Sequence, residues 1–175
     1  MVRVQGDDPK MSTALKLVRL GLAVRVSLRE VPRGSLILDP TAEEVLTPGD
    51  RSHISSRGIT VIDSSWNRGV DDIVRVSRRL KGFRRVLPAL KAGNPINYAV
   101  LTKLSSAEAV AAALYITGFK DSAREILSKF KWGRNFLELN KDLLERYSKA
   151  SSREEVLILQ REFLSKFRFW GGCRL

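Results

Sequence analysis

The segment GITVIDSSWNRG, residues 58–69, runs from an apolar stretch into an acid, two serines, a tryptophan, an asparagine and an arginine. Two other apolar stretches break in the same manner: LDPTAEE follows from Leu38, and LPALKAGNPINY follows Val86. In open α/β sheets, ligands sit beyond the carboxyl ends of the strands. Gathered at one edge, the three breaks predict a cleft walled by Leu38, Pro40, Trp66, Leu87 and Pro88, whose loop backbone is free to bind adenine or ribose. Plainer roles compete. Asp63 can serve as a turn or cap residue. Trp66 can fill a core, and Asn67 and Arg68 suit a turn and a surface.

Much familiar chemistry is missing. Neither G-x-G-x-x-G nor G-x-x-x-x-G-K-[ST] occurs, so no glycine-rich phosphate cradle is present. One histidine, His53, cannot build a multi-histidine metal site, and one cysteine, Cys173, cannot form an internal disulfide. No metal is expected, and a reducing, cytoplasmic setting fits this cysteine usage. MVRVQGDDPK has no apolar core of the kind a secretory signal needs. The apolar run AVAAALYI, Ala109 to Ile116, is too short to span a membrane and reads as a buried helix.

Charge points to a polyanionic partner. The 175 residues carry 31 Lys and Arg against 19 Asp and Glu, a net charge of +12. Both halves are basic, which argues against a tail effect. Arg75, Arg78, Arg79, Lys81, Arg84 and Arg85 fall within eleven residues. A solvated face is the plainest account of such a run, but the whole-chain excess favours contact with an RNA backbone.

The elements that must position these residues show two patterns. VRVQ, SLILDP, GITVID and FRRVLP read as short strands. STALKLVRLG and VDDIVRVSRRL carry apolar residues at helical spacing between them. TAEEVL reads as a short helix with Thr41 and Glu44 as a capping box. EVLTPGDR and RSHISSRG read as a mobile loop carrying His53 at the surface. The alternation predicts an α/β fold with a mainly parallel sheet. From SSAEAVAAALYITG onward, opened by a Ser105 and Glu108 capping box, everything is helical: DSAREILSKF, NFLELNKDLLERY and SREEVLILQREFLSKF follow. Two segments are therefore expected: residues 1–92 as an α/β unit with an RNA-binding surface, and residues 93–175 as a helical unit completing the site.

The ordered strings DDPKMSTALKLVRLGLA, LDPTAEEVLTPGD, DSSWN and RRLKGFRRVLPALKAGNPINYAVLTKLSSAEAVAAALYITG carry a resemblance. Together they resemble the small-subunit ribosomal-RNA aminocarboxypropyltransferases, from about Asp7 to Tyr147. Ser64 stands where many members have cysteine, so that thiol cannot be essential. Met11 stands where a polar residue or cysteine is usual.

The resemblance implies transfer of the 3-amino-3-carboxypropyl group from S-adenosylmethionine to a (methylated) pseudouridine of small-subunit rRNA, in ribosome biogenesis, with methylthioadenosine as the other product. It also implies a knotted fold like that of the SPOUT-type RNA methyltransferases, with the trefoil at the cofactor site. The expected partner is rRNA or a pre-ribosomal particle, with no membrane and a monomeric enzyme. In this reading Asp63 and Trp66 are catalytic. The indole face attracts the sulfonium, worth roughly 0.5–2 kcal/mol, and with Leu38 and Pro40 hides its methyl group. Asp63 positions the donor or, less favoured, acts as base. Ser12 and Thr13 hold the amino-acid end. Asn97 and Tyr98 line the adenine pocket, and Ile62, Val86, Leu87, Leu101 and Ser105 complete the cofactor wall. Alternatives are an RNA methyltransferase using the same donor, or a non-catalytic rRNA-binding assembly factor.

Overall fold

The computed structural model describes residues 2–3, 12–63 and 71–171. Among these residues four strands form one sheet in the order β1-β3-β2-β4, all neighbours parallel: β1 Val2–Arg3, β2 Leu36–Leu38, β3 Ile59–Asp63 and β4 Phe83–Arg85. Parallel neighbours require long crossovers. These contain helices α1 Thr13–Arg19, α2 Arg51–Arg57 and α3 Asp71–Ser77. Four helices follow: α4 Ser106–Ile116, α5 Lys120–Ser128, α6 Gly133–Lys149 and α7 Arg153–Gly171. The expected α/β organisation and helical second half are both present.

Strand alternation divides the core. Successive strand side chains point to opposite faces, and all three β2 residues are buried. Ile37 joins Ile62, Ile73 and Leu80 beneath α3 and residues Leu28 and Val31. Leu36 and Leu38 face the other way, into a larger cluster reaching Ile116, Phe136, Tyr147 and Val156. Each buried aliphatic side chain of this kind contributes about 1.5–3 kcal/mol. Helix α4 lies at the centre of the larger cluster. Ala107, Ala111, Ala112 and Ala113 are at most 1% exposed, and their small side chains let α4 pack closely against its neighbours.

Asp63 follows from the same alternation. It shares its side of β3 with Ile59, which packs in the larger cluster. Its carboxylate therefore turns toward α1 and α4.

Two expectations fail locally. TAEEVL forms no helix; Asp39 instead accepts hydrogen bonds from Thr41 N and Thr41 Oγ1 at 2.8 and 2.7 Å, which makes a turn. Val45 then pairs as an isolated parallel bridge with Val86. The segment expected as a mobile loop is a 3-10 turn at Pro48–Asp50 leading into α2. Asp50 anchors it by accepting Thr47 N at 3.0 Å and Arg85 Nε at 2.9 Å. In the first a local Asp39 turn and the backbone bridge to Val86 replace the helix; in the second an ion pair from Arg85 fixes Asp50 at the start of α2.

Among the described residues, no helix is long and apolar enough to cross a membrane.

Gly93 reports how tightly the loop before α4 presses on α6. A Cβ there would lie 2.6 Å from both Phe136 N and Phe136 Cα. Gly93→Ala is expected to cost about 1–3 kcal/mol of stability by overpacking. Urea denaturation checks it; an unchanged midpoint would mean that the loop has slack.

Candidate active site

The carboxyl edge of the sheet carries Leu38, Asp63 and Arg85 at its strand ends. Asp63 is 6% exposed. Its Oδ2 accepts Ser12 Oγ at 2.8 Å, and its Oδ1 accepts Ser106 Oγ at 3.1 Å. Ser12 caps α1 by accepting Leu15 N at 3.0 Å, and Ser106 opens α4. One carboxylate thus ties two helix starts to a strand end. Next to it, Thr13 Oγ1 accepts Ala107 N at 3.3 Å. A carboxylate has about four lone-pair positions. Among the described residues these hydroxyls occupy two, which leaves acceptor positions for an N–H or a cation.

The turn after β2 adds a second buried carboxylate. Asp39 is 1% exposed, and among the described residues its Oδ2 has no hydrogen-bond partner. Arg84 Nη1 lies 3.7 Å from it, an ion-pair distance rather than a hydrogen bond.

The third loop is built by side chains from three helices. Asn140 of α6 accepts Lys91 N and donates to Lys91 O, both at 2.8 Å, much as a neighbouring strand would. Gln160 of α7 accepts Ala89 N at 2.8 Å, and Tyr147 of α6 donates to Ala89 O at 3.3 Å. Burial pushes the Tyr147 phenol well above its ordinary value. Glu108 of α4 is fully buried and accepts four bonds: Gly93 N at 2.6 Å, Asn94 N at 3.0 Å, Asn94 Nδ2 at 2.7 Å and Ser105 N at 2.7 Å. Ala99 and Thr102 hold left-handed backbone, φ 61° and 62°. That conformation costs a non-glycine residue roughly 1–2 kcal/mol. It is held by Ala99 N to Ala92 O at 2.7 Å and Thr102 N to Leu90 O at 2.9 Å.

The expected site residues divide into groups. Ser12, Thr13 and Asp63 come together at the start of α4, directly after its N-cap Ser105. Leu38 is 6% exposed within the larger core, on the side of the sheet that Asp63 faces, whereas Ile62, also 6% exposed, packs in the smaller core on the opposite face. Val86, Leu87 and Leu101 are half-buried, and Pro40 is exposed. Asn97 is half-buried, its N–H bonded to Asn94 Oδ1, while the Tyr98 ring is 56% exposed. Trp66, together with Ser64, Asn67, Arg68 and Met11, lies outside the described residues.

Ser106, Asp39, Asn140 and Gln160 did not emerge from the sequence. Their signals are weak: a second serine after a capping serine, and polar residues inside amphipathic helices. Glu108 was legible as a cap, but its other bonds reach 14 and 15 residues back and leave no local trace.

The basic cluster also divides. Arg75, Arg78, Arg79 and Lys81 are exposed. Arg84 pairs with Asp39, and Arg85 with Asp50 at 2.9 Å, so both are partly neutralised by neighbouring acids. No group of three or more His, Cys, Asp or Glu side chains that could hold a metal exists among the described residues.

A family model described as "Ribosome biogenesis protein, C-terminal" matches residues 36–164. A 16S rRNA aminocarboxypropyltransferase of Vulcanisaeta distributa is 52% identical over 158 residues, covering 90% of this chain and 85% of that protein. One from Methanopyrus kandleri is 45% identical over 159 residues, covering 90% and 92%. The solved SAM-dependent rRNA:acp-transferase Tsr3 from Vulcanisaeta distributa aligns with a TM-score of 0.80 at 44% identity, covering 91% of this chain and 94% of that one.

Replacing Glu108 by Gln keeps the shape but puts an NH2 against backbone donors. Orphaning a buried donor costs about 1–3 kcal/mol. Glu108→Gln is therefore expected to lower stability by at least that amount, read by urea denaturation, and to raise hydrogen exchange at Gly93 and Asn94. Native-like protection at both amides would show that another acceptor holds the loop.

Proposed function

The chain belongs to the 16S rRNA aminocarboxypropyltransferase family, and from that premise we propose that this enzyme transfers the 3-amino-3-carboxypropyl group of S-adenosylmethionine to a pseudouridine of small-subunit rRNA. Methylthioadenosine is the second product, and ribosome biogenesis is the setting. The observation that carries this reading is Asp63: a buried carboxylate at a strand end, joined to two helix starts, with capacity for another donor.

The donor fits those residues. Its ammonium group needs an anionic acceptor, which Asp63 provides. Ser12 and Thr13 stand beside it for the rest of the amino-acid arm. The half-buried Val86, Leu87 and Leu101 offer an apolar bed for adenine, with Leu38 and Ser105 behind it and Asn97 and Tyr98 on the adjoining loop. Pro40 and Trp66 are proposed to shelter the methyl group, Trp66 from its place in the D-S-S-W string. Residues 1–92 supply the RNA surface and part of this pocket, and residues 93–175 complete it. The threaded, knotted chain path belongs to the same proposal, supported by the resemblance of the ordered strings.

Chemically, a ring nitrogen of the modified uridine attacks the chain carbon bonded to sulfur. The new N–C bond forms as the C–S bond breaks, and the departing pair neutralises the sulfonium to give methylthioadenosine. The N–H proton leaves to water. Asp63 acts by placement: its two hydroxyl donors fix the carboxylate, which fixes the arm. Holding two reactants at attack distance can supply about 7–11 kcal/mol of barrier reduction. The enzyme acts in the cytoplasm as a monomer in this reading.

Mass spectrometry of the reaction decides between transfer types. Methylthioadenosine is expected; S-adenosylhomocysteine would mark a methyltransferase instead. Asp63→Ala is expected to lower kcat/KM by about 100-fold, the scale of losing one preorganised polar group in an active site. Asp63→Asn should keep the melting temperature while losing donor affinity in calorimetry. Full activity in either variant would remove Asp63 from the site.

A further inference from the structure

Because the strands are parallel, the residues that lead into β2, β3 and β4 share the amino edge of the sheet, opposite the proposed transfer site. Arg33 precedes β2, Arg57 precedes β3, and Arg78, Arg79 and Lys81 precede β4. All five side chains are exposed. Contacts show that they adjoin. Gly34 N bonds to Lys81 O at 2.7 Å, and Arg57 Cγ lies 3.8 Å from where a Cβ on Gly34 would stand. Segments 31–38, 51–60 and 74–86 hold nine Lys and Arg and no Asp or Glu. Glu30, nearest in sequence to Arg33, accepts Ser27 N at 2.7 Å. None of the five cations forms an ion pair with an acid among the described residues.

An aromatic pair lies beside this charge. Helix α2 runs antiparallel to β4, so Asp50 meets Arg85 at the carboxyl end while His53 meets Phe83 nearer the amino end. The two rings stack with centroids 3.7 Å apart and planes 27° apart. Phe83 nonetheless stays 42% exposed, on the edge strand of the sheet. Arg57 follows His53 by one helical turn. An exposed ring backed by a second ring, with unpaired cations alongside, has the components of a single-strand RNA platform: bases stack on the aromatic face while phosphates meet the cations.

We propose that the amino edge is a second RNA-binding site, in which Phe83, backed by His53, stacks an unpaired base and Arg33, Arg57, Arg78, Arg79 and Lys81 hold the flanking phosphates. This inference rests on the reading of the chain as an rRNA-modifying enzyme. The strands separate the two edges by roughly 10 Å of backbone, at about 3.3 Å per residue. The amino edge therefore grips a different stretch of RNA from the one whose nucleotide is modified. Its work is retention and register of a large substrate, not bond making.

The test measures binding of the full chain to a 16S rRNA transcript by fluorescence anisotropy across salt concentrations, without donor. Replacing Arg33, Arg57 and Lys81 together by Ala should flatten the log–log salt slope by about 2, at roughly 0.7 per phosphate contact on a single strand. Phe83→Ala should weaken transcript binding about tenfold, and Phe83→Trp should restore it, consistent with base stacking. Calorimetric affinity for S-adenosylmethionine should stay unchanged in every variant. Unchanged transcript affinity and salt slope in the triple and Phe83→Ala variants would overturn the proposal. So would failure of Phe83→Trp to restore binding. Defects seen with assembled subunit particles but not with the protein-free transcript would overturn it in favour of a protein partner. A wild-type chain that binds the transcript through this edge yet yields no methylthioadenosine would instead sink the transfer reading alone.

Discussion

Four N–H groups converge on the buried Glu108 carboxylate, and the shape of the carboxyl edge depends on that convergence. A carboxylate removed from water costs several kcal/mol unless polar groups replace its hydration. Here the replacement comes from the loop itself, through Gly93, Asn94 and Ser105. The loop cannot swing away without stranding a buried acid, and α4 cannot shift without losing its cap. That mutual dependence anchors both ends of the segment in which backbone bonds to Ala92 and Leu90 keep Ala99 and Thr102 left-handed, while Ile96, Tyr98 and Val100 stay exposed.

Asp63 uses the same principle at a smaller scale. Glu108 spends its capacity on the fold, whereas Asp63 accepts two hydroxyls and keeps capacity for a ligand. Burial alone does not draw this distinction, since Asp63 and Glu108 are both at most 6% exposed. The parallel sheet then gives the molecule two unlike edges. Acids at Asp39, Asp50 and Asp63 gather toward the carboxyl end and partly neutralise Arg84 and Arg85. The amino end is left cationic. In the proposed reading, chemistry and grip on the nucleic acid fall at opposite ends of the same strands.

The strands, α1 and α3 through α7 were readable because each is a local pattern: an apolar run of strand length, or apolar residues at helical spacing closed by Gly21 or Gly118. The place of Asp63 at a strand exit was legible for the same reason. What escaped was set by contacts between distant segments. TAEEVL carries a respectable capping box, yet Asp39 bonds Thr41 and Val45 pairs with Val86, and the helix is forgone. RSHISSR has little apolar content to announce α2, which is anchored by Ile54 in the core and the Asp50–Arg85 pair. Charge density alone could not distinguish Arg84 and Arg85 from Arg78 and Arg79. The acids that separate them lie 35 or more residues away.

Donor chemistry is proposed to occur at the carboxyl edge, with Asp63 receiving the amino-acid arm. Crystallography of the enzyme with S-adenosylmethionine bound tests it most directly. The donor ammonium is expected within hydrogen-bond reach of the Asp63 carboxylate, the methyl turned into protein and the adjoining chain carbon open to RNA. A donor seated elsewhere, or one whose methyl faces outward while its longer arm is buried, would contradict it.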